Sequence, residues 1–276
     1  MTELSDFDPT QGINGPLEPW LEFNAHGAFA TENGLKLVAP FPPPELMVDT
    51  SGLSRAQDFA MHGLLIARAF AQASPSPLRD FKSILDFGVG VGRLARMFKG
   101  FKGAYIGVDI DPRNIEWVMK NLSYVTAVLT LPRRPLPFGD AVFDAVISVS
   151  VFTHMNAKDC GFYIRELKRV VKPGGPIMAS LHGARALQRA HEEARIKEML
   201  ALSSASIEDA LRRFNGSGGY CFVPQRTHLT RRDYEYGAMF VSPEYVKNNW
   251  GAGIADVKIH PALIADFQDI AVFQKA

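Results

Sequence analysis

The stretch Asp86-Phe87-Gly88-Val89-Gly90-Val91-Gly92-Arg93 decides the fold. Residues 83–87 are short and apolar and run straight into glycines, which predicts a buried strand that turns tightly into a helix over 93–98. The three glycines leave main chain bare where a ligand must press closer than a Cβ allows, and they tolerate the positive φ of a tight turn. Alone, a G-x-G-x-G string is weak, because a turn without a ligand can carry it. The next predicted strand, 104–110, closes on Gly107-Val108-Asp109-Ile110-Asp111. This places an acid about twenty residues past the glycines, where a carboxylate accepts hydrogen bonds from both hydroxyls of a ribose. Asp109 stands at the strand end and is assigned to the ribose. Asp111, just before Pro112, is assigned as a helix cap.

Outward from this centre, apolar spacing predicts a helix from residue 54, carrying Phe59, His62, Leu65, Ile66, Ala69 and Phe70, until Ser74-Pro75-Ser76-Pro77 ends it. A helix over 112–122, strands over 124–129, 143–148 and 177–181, and a helix capped by Asn156 follow in alternation. A helix over 243–250 and strands near 255–259 and 267–274 complete the pattern. Seven strands alternating with helices predict a doubly wound, mostly parallel α/β sheet. Residues 1–52 are irregular by pattern, because Asn14-Gly15-Pro16, Asn33-Gly34 and Pro40-Phe41-Pro42-Pro43-Pro44 stop any helix before it lengthens. They are read as an N-terminal extension, 53–182 as the core, 183–235 as a charged helical insertion or lid over the substrate site, and 236–276 as the return to the sheet. Residues 184–213 look helical and no strand is expected among them; Ser206 and Asp209 are spaced there as a capping box for a second short helix.

Composition narrows the function. The net charge is +1, with 30 basic and 29 acidic residues and no long run of either sign, so no electrostatic footprint for nucleic acid is visible. Cys160 and Cys221 have no metal-ligand spacing and are read as small half-buried thiols. The first fifteen residues lack a basic start and an apolar run, and no apolar stretch is long enough to span a bilayer; a cytoplasmic protein is expected.

A dinucleotide site wants its third glycine one position later than Gly92, where the helix N-terminus faces a pyrophosphate. Asp86, two residues before the first glycine, suits a ligand with an ammonium group better than one with two phosphates, which it would repel. In order and spacing, four blocks resemble a class I S-adenosylmethionine-dependent methyltransferase: 84–93, 107–110, then Leu136-Pro137-Phe138 with Phe143-Asp144-Ala145-Val146, then Glu166 through Lys172-Pro173-Gly174-Gly175. The resemblance is strong over 80–182. Ser150-Val151-Phe152-Thr153-His154, Leu181-His182-Gly183 and Phe267-Gln268-Asp269-Ile270-Ala271-Val272 resemble, more softly, a bacterial subgroup associated with polysaccharide or glycoconjugate assembly.

The resemblance implies S-adenosyl-L-methionine as cofactor in a Rossmann-like methyltransferase fold. It implies that Asp86 and the main chain of Gly88, Gly90, Gly92 and Arg93 hold the methionine part. It also implies that Asp109 holds the ribose, Ile110 packs on the adenine, and the segment from Ser148 flanks the sulfonium. Many relatives carry an acid after the third strand for the adenine amino group, but Leu129-Thr130-Leu131 offers none, which leaves backbone or Thr130. His154 and His182, past the fourth and fifth strands, lie by topology at the ligand-binding edge of the sheet. His154 is read either as general base or as a residue packed beside the cofactor, and His182 as an acceptor contact. His62 is read as a core histidine, and His191 and His228 as surface residues of the insertion. Tyr220, Arg231, Tyr234 and Tyr236 are candidates to meet a sugar or aromatic acceptor. Ser148-Val149-Ser150-Val151 supplies no carboxylate for a metal, so none is expected. The leading expectation is O-methylation of a small-molecule or glycan acceptor. N-methylation is second, and a non-catalytic cofactor-binding subunit and a nicotinamide enzyme are the other readings.

Overall fold

Residues 7–216, 218–225 and 235–276 are described by the computed structural model of the protein. β1 (Ser83–Phe87) forms where its apolar run predicts and is buried beyond its first residue. The chain divides into two compact units, Met1–Thr130 and Leu131–Ala276. Three strands from the first and four from the second make up the seven strands of a doubly wound, mostly parallel α/β fold.

In the first unit, β1 pairs in parallel with β2 (Ala104–Asp109), and β2 in parallel with β3 (Val125–Leu129). The register sets Asp86 opposite Gly107, so the glycine turn and the end of β2 come out together. Between β2 and β3 runs a helix, Pro112–Asn121, whose N-cap is Asp111; its carboxylate accepts from the Arg113 N–H at 2.9 Å, as the sequence predicted.

The first fifty residues differ from expectation. Short pieces of helix replace the irregular extension: a 3-10 turn at Pro9–Asn14, α1 (Leu17–Glu22), a π turn at Phe23–Gly27, α2 (Ala28–Ala30), α3 (Gly34–Leu37) and α4 (Pro44–Ser51). None is long enough to be stable alone, and the breakers seen in the sequence do limit each one. Tertiary packing holds them. Trp20 is fully buried and donates its Nε1–H to the Met97 carbonyl at 2.7 Å. Arg96, also fully buried, donates to the carbonyls of Pro40 (2.9 Å) and Ala39 (2.6 Å), with its guanidinium 3.6 Å from the centre of the Phe41 ring. α5 (Ala56–Ala73) follows, burying Phe59, Leu64, Ile66 and Phe70. The helix expected over 93–98 shrinks to a 3-10 turn, Ala95–Phe98. Gly92 holds a left-handed φ of 79°, which delays helix formation, and Lys99 gives its carbonyl to Ile13 N–H instead of to another turn.

With the helix Pro112–Asn121 numbered α6, the second unit places β4 (Ala145–Ser148) parallel to β5 (Pro176–His182), joined by α7 (Ala157–Val170). Asn156 caps α7 as expected, accepting from Asp159 N–H at 2.9 Å. Then come α8 (Ala184–Glu192), α9 (Ala194–Met199), α10 (Ser204–Gly216), β6 (Tyr220–Gln225), β7 (Tyr236–Val241), α11 (Pro243–Trp250), β8 (Ile254–Ile264) and β9 (Gln268–Lys275). β9 runs antiparallel to β5 and to β8. Residues 184–213 are helical as expected, and past them the chain forms a strand that the pattern did not show, β6, paired antiparallel with β7 and interrupted by Pro224. One expectation for the helical stretch needs correction. The hydroxyl that caps α10 belongs to Ser203, which accepts from Ser206 N–H, so Ser206 is one turn inside the helix. This region has its own core, built on Leu187, Ile196, Ile207, Cys221 and Phe240. Cys160 and Cys221 are buried free thiols. Among the described residues, no helix is long and apolar enough to cross a membrane.

Candidate functional site

In the first unit, Gly88, Gly90 and Gly92 all take positive φ, at 84°, 54° and 79°. The loop folds back on β2, with Gly88 and Val89 both donating to the Val108 carbonyl at 2.9 and 3.0 Å. Asp109 completes the turn from the next strand. Its Oδ2 accepts from Gly90 N–H at 2.8 Å and its Oδ1 from Asp111 N–H at 2.8 Å, with Asn114 Nδ2 more distant at 3.4 Å. Burial pushes the Asp109 pKa up, while these hydrogen bonds pull it back. The side chain is thus fixed before any ligand arrives, and the long Asn114 contact is the one most readily exchanged for a ligand hydroxyl. Thr130 is engaged too, its N–H donating to the Asp109 carbonyl at 2.9 Å and its hydroxyl to the same oxygen at 3.3 Å. Ile110, half-buried, follows directly.

Asp86 is buried under the loop strand and accepts from the Tyr105 hydroxyl at 2.7 Å. Burial raises its pKa to about 7, and repulsion from Asp109 adds to the rise; the Tyr105 bond and the nearby Arg93 charge act the other way. Arg93 leaves the loop on the α5 side, where its Nη1 stands 3.2 Å from His62 Nδ1. Burial lowers the Arg93 pKa to about 10, so it remains charged, with Asp86 supporting the charge.

The second unit holds the histidines. Ser148 ends β4 fully buried. Ser150 adopts a left-handed φ of 56°, costly for a residue with a Cβ. The strain is held by its N–H donating to Ser180 Oγ at 2.7 Å and by a hydroxyl contact with the Gln268 amide. His154 Nδ1 lies 3.0 Å from the Gly237 carbonyl, which can only accept, so Nδ1 carries the proton and Nε2 a lone pair. The ring stacks on Tyr236 at 4.6 Å and 12°. Burial lowers the pKa of His154, and that of His182 to about 3. His182 is enclosed by Phe240 and Phe267, with His154 edge-on at 6.2 Å, and its Nδ1 is buried without a partner.

The sequence therefore pointed to Asp86, the three glycines, Arg93 and Asp109, which the fold gathers at one turn, and to the His154–His182 pair, which it sets against one another. It did not find Tyr105, Asn114 or the partnership of His62 with Arg93. Of these, Asn114 alone left a local trace, one turn beyond Asp109. Tyr236 flanks His154, whereas Tyr220 stacks on Tyr245 at 4.8 Å; His191 is exposed. His228, Arg231 and Tyr234 lie outside the described residues.

Residues 85–179, which hold this glycine loop and the strand-end acid, match the family described as Methyltransferase domain. Asp86, the three glycines, Asp109, Ser148 and His154 all fall inside that match. Norajmaline N-methyltransferase of Rauvolfia serpentina is 26% identical over 159 residues, 55% of this chain and 54% of that protein. The ubiquinone/menaquinone biosynthesis C-methyltransferase UbiE of Cupriavidus metallidurans is 31% identical over 124 residues, 43% of this chain and 49% of that one. The chain spans about half the length of the curated relatives it matches. Among solved structures, the glycopeptide N-methyltransferase MtfA complexed with sinefungin superposes with a TM-score of 0.54 at 13% identity, covering 78% of this chain and 94% of that one. The PH0226 protein of Pyrococcus horikoshii gives 0.51 at 15%, covering 76% and 90%. These likenesses establish the methyltransferase domain's fold.

Proposed function

We propose that this chain is an S-adenosylmethionine-dependent methyltransferase that methylates a hydroxyl on a small-molecule or glycoconjugate acceptor. The observation that carries the reading is the Asp109 carboxylate, bonded to Gly90 main chain and so presented as a fixed acceptor beside bare backbone. The residues fit S-adenosylmethionine. Asp109 would hold the ribose diol, Ile110 the adenine face, and Asp86, a buried carboxyl with a phenol donor, the ammonium. When bound, this cofactor supplies a methyl group on a sulfonium leaving group, so the chain's own residues need only bind, orient and remove a proton. Incubating the protein with methyl-labelled cofactor and a cell extract tests the reading. Transfer of label is expected; tight cofactor binding with no transfer to any fraction would reduce the chain to a binding subunit.

Asp86 gives this reading a pH signature. Its carboxyl titrates at about 7 in the free protein, and an ammonium beside it favours the ionised form, so binding below that pH releases a proton. Affinity for S-adenosylhomocysteine is expected to weaken up to about tenfold per unit as pH falls below 7 and to level off above it. Titration calorimetry in buffers of different ionisation enthalpy reads the released proton directly. A flat profile from pH 5 to about 8 would remove Asp86 from the ammonium site.

His154 is assigned as the base, taking the acceptor's proton at Nε2, with Gly237 holding the tautomer and Tyr236 the ring plane. His182, whose burial keeps it neutral far below physiological pH, is assigned as a wall of that pocket, close to the acceptor but outside proton transfer. Acceptor choice is assigned to residues 183–235. Replacing His154 by Gln is expected to lower kcat about 10²–10⁴-fold with S-adenosylhomocysteine affinity unchanged. Nitrogen is the second acceptor, favoured by the norajmaline N-methyltransferase relative. A neutral amine needs no base, so an unaltered kcat in the Gln variant would select it.

A further inference from the structure

We propose that His62 is a positioning residue that aims Arg93 at the carboxylate of the cofactor's amino-acid end, making Arg93 and Asp86 a paired clamp for a zwitterion. This rests on the methyltransferase reading and adds to it a second charge contact, from a helix outside the matched 85–179 segment.

The geometry begins with α5. Gly63 lets this helix approach the loop exit closely: a Cβ there would stand 2.7 Å from Met97 Cε and 3.1 Å from the Arg93 carbonyl. His62, the preceding residue, is thereby set beside the Arg93 guanidinium, Nδ1 to Nη1 at 3.2 Å. An arginine N–H can only donate, so His62 Nδ1 accepts and its proton resides on Nε2. Burial and the Arg93 charge both hold His62 neutral, with a pKa lowered to about 3. A histidine locked neutral in this way is a fixed acceptor, not a second cation.

Charge balance supplies the other half of the case. Among the described residues, Arg93 makes no ion pair; its charge is offset at longer range by Asp86. One N–H goes to His62, and a planar guanidinium has four more to offer, in a fork matched to a carboxylate. Asp86 has the complementary need for a cation. An amino acid lying across the two brings its carboxylate to Arg93 and its ammonium to Asp86, so that the four charges alternate in sign. Without His62 the guanidinium loses the anchor that fixes the plane of its fork.

The test compares two ligands, S-adenosylhomocysteine and its descarboxy analogue, S-adenosyl-3-thiopropylamine, by calorimetry on the full chain. Wild-type protein is expected to prefer the first by at least about tenfold. His62→Leu should lose about tenfold for S-adenosylhomocysteine and leave the analogue within about twofold. His62→Asn, whose Oδ1 can replace Nδ1 as acceptor, should restore most of the preference. Equal weakening of both ligands by His62→Leu, unaltered affinity for both, or no rescue by Asn would overturn the proposal. Failure of wild-type protein to bind either nucleoside would instead overturn the methyltransferase reading, and this inference with it.

Discussion

Replacing Asp109 by Ala is expected to weaken S-adenosylhomocysteine binding by about a hundredfold or more, the largest loss of cofactor affinity at any single position. A hydrogen bond to a charged acceptor contributes about 1.5–3 kcal/mol, and two ribose hydroxyls depend on this carboxylate. The same substitution frees Gly90 N–H, whose bond to Oδ2 sets the loop against β2. Stability should fall less, because the Gly90 and Asp111 N–H groups lose their acceptor while the burial of an ionised carboxyl is relieved. Burial raises the Asp109 pKa in the fold, so the ionised side chain is held there at a cost, one that is present at neutral pH and relieved as the group is protonated in acid. Asp109→Asn keeps an acceptor for Gly90 and is expected to fall between the two. Calorimetry with S-adenosylhomocysteine, paired with thermal melts, separates these effects; an Ala variant that binds like wild type would remove the ribose assignment.

Trp20→Ala carries the largest expected loss of stability, about 3–5 kcal/mol. The indole is enclosed, and its Nε1–H is the partner of the Met97 carbonyl, which would be left buried and unpaired. For a chain of this size the melting temperature should drop on the order of ten degrees. Trp20→Phe keeps most of the packing and loses the donor, so its loss should be nearer about 1–2 kcal/mol. A melt of the Ala variant within two or so degrees of wild type would show that the N-terminal helices add little to the fold.

How far the sequence reached depended on whether a signal was local. β1, the glycines, Asp109, the cap at Asp111 and the cap at Asn156 are each written in fewer than ten neighbouring residues, and the structure follows them closely. The N-terminal helices were invisible because each is too short to show a period, and partners far along the chain, such as Met97, stabilise them. The Ser203 cap was missed for a different reason: the region holds Ser203, Ser204 and Ser206 close together, and propensity does not choose among serines. At the site, the residues that touch main chain were legible, but those that tune them were not. His62 and Arg93 are 31 positions apart, and Tyr105 reaches Asp86 across a strand pair. Nothing in a periodic reading distinguishes such a histidine from core filling.

The enclosure of Arg96 ties the chain's opening to its interior. Its guanidinium is lodged between two peptide oxygens and an arene drawn from residues 39–41. A gene fusion or recombination event that joined a foreign leader at the polyproline run would strand a cation in oil. The opening fifty residues and the segment after the glycine turn are therefore joined by a buried charge whose acceptors only the former supplies.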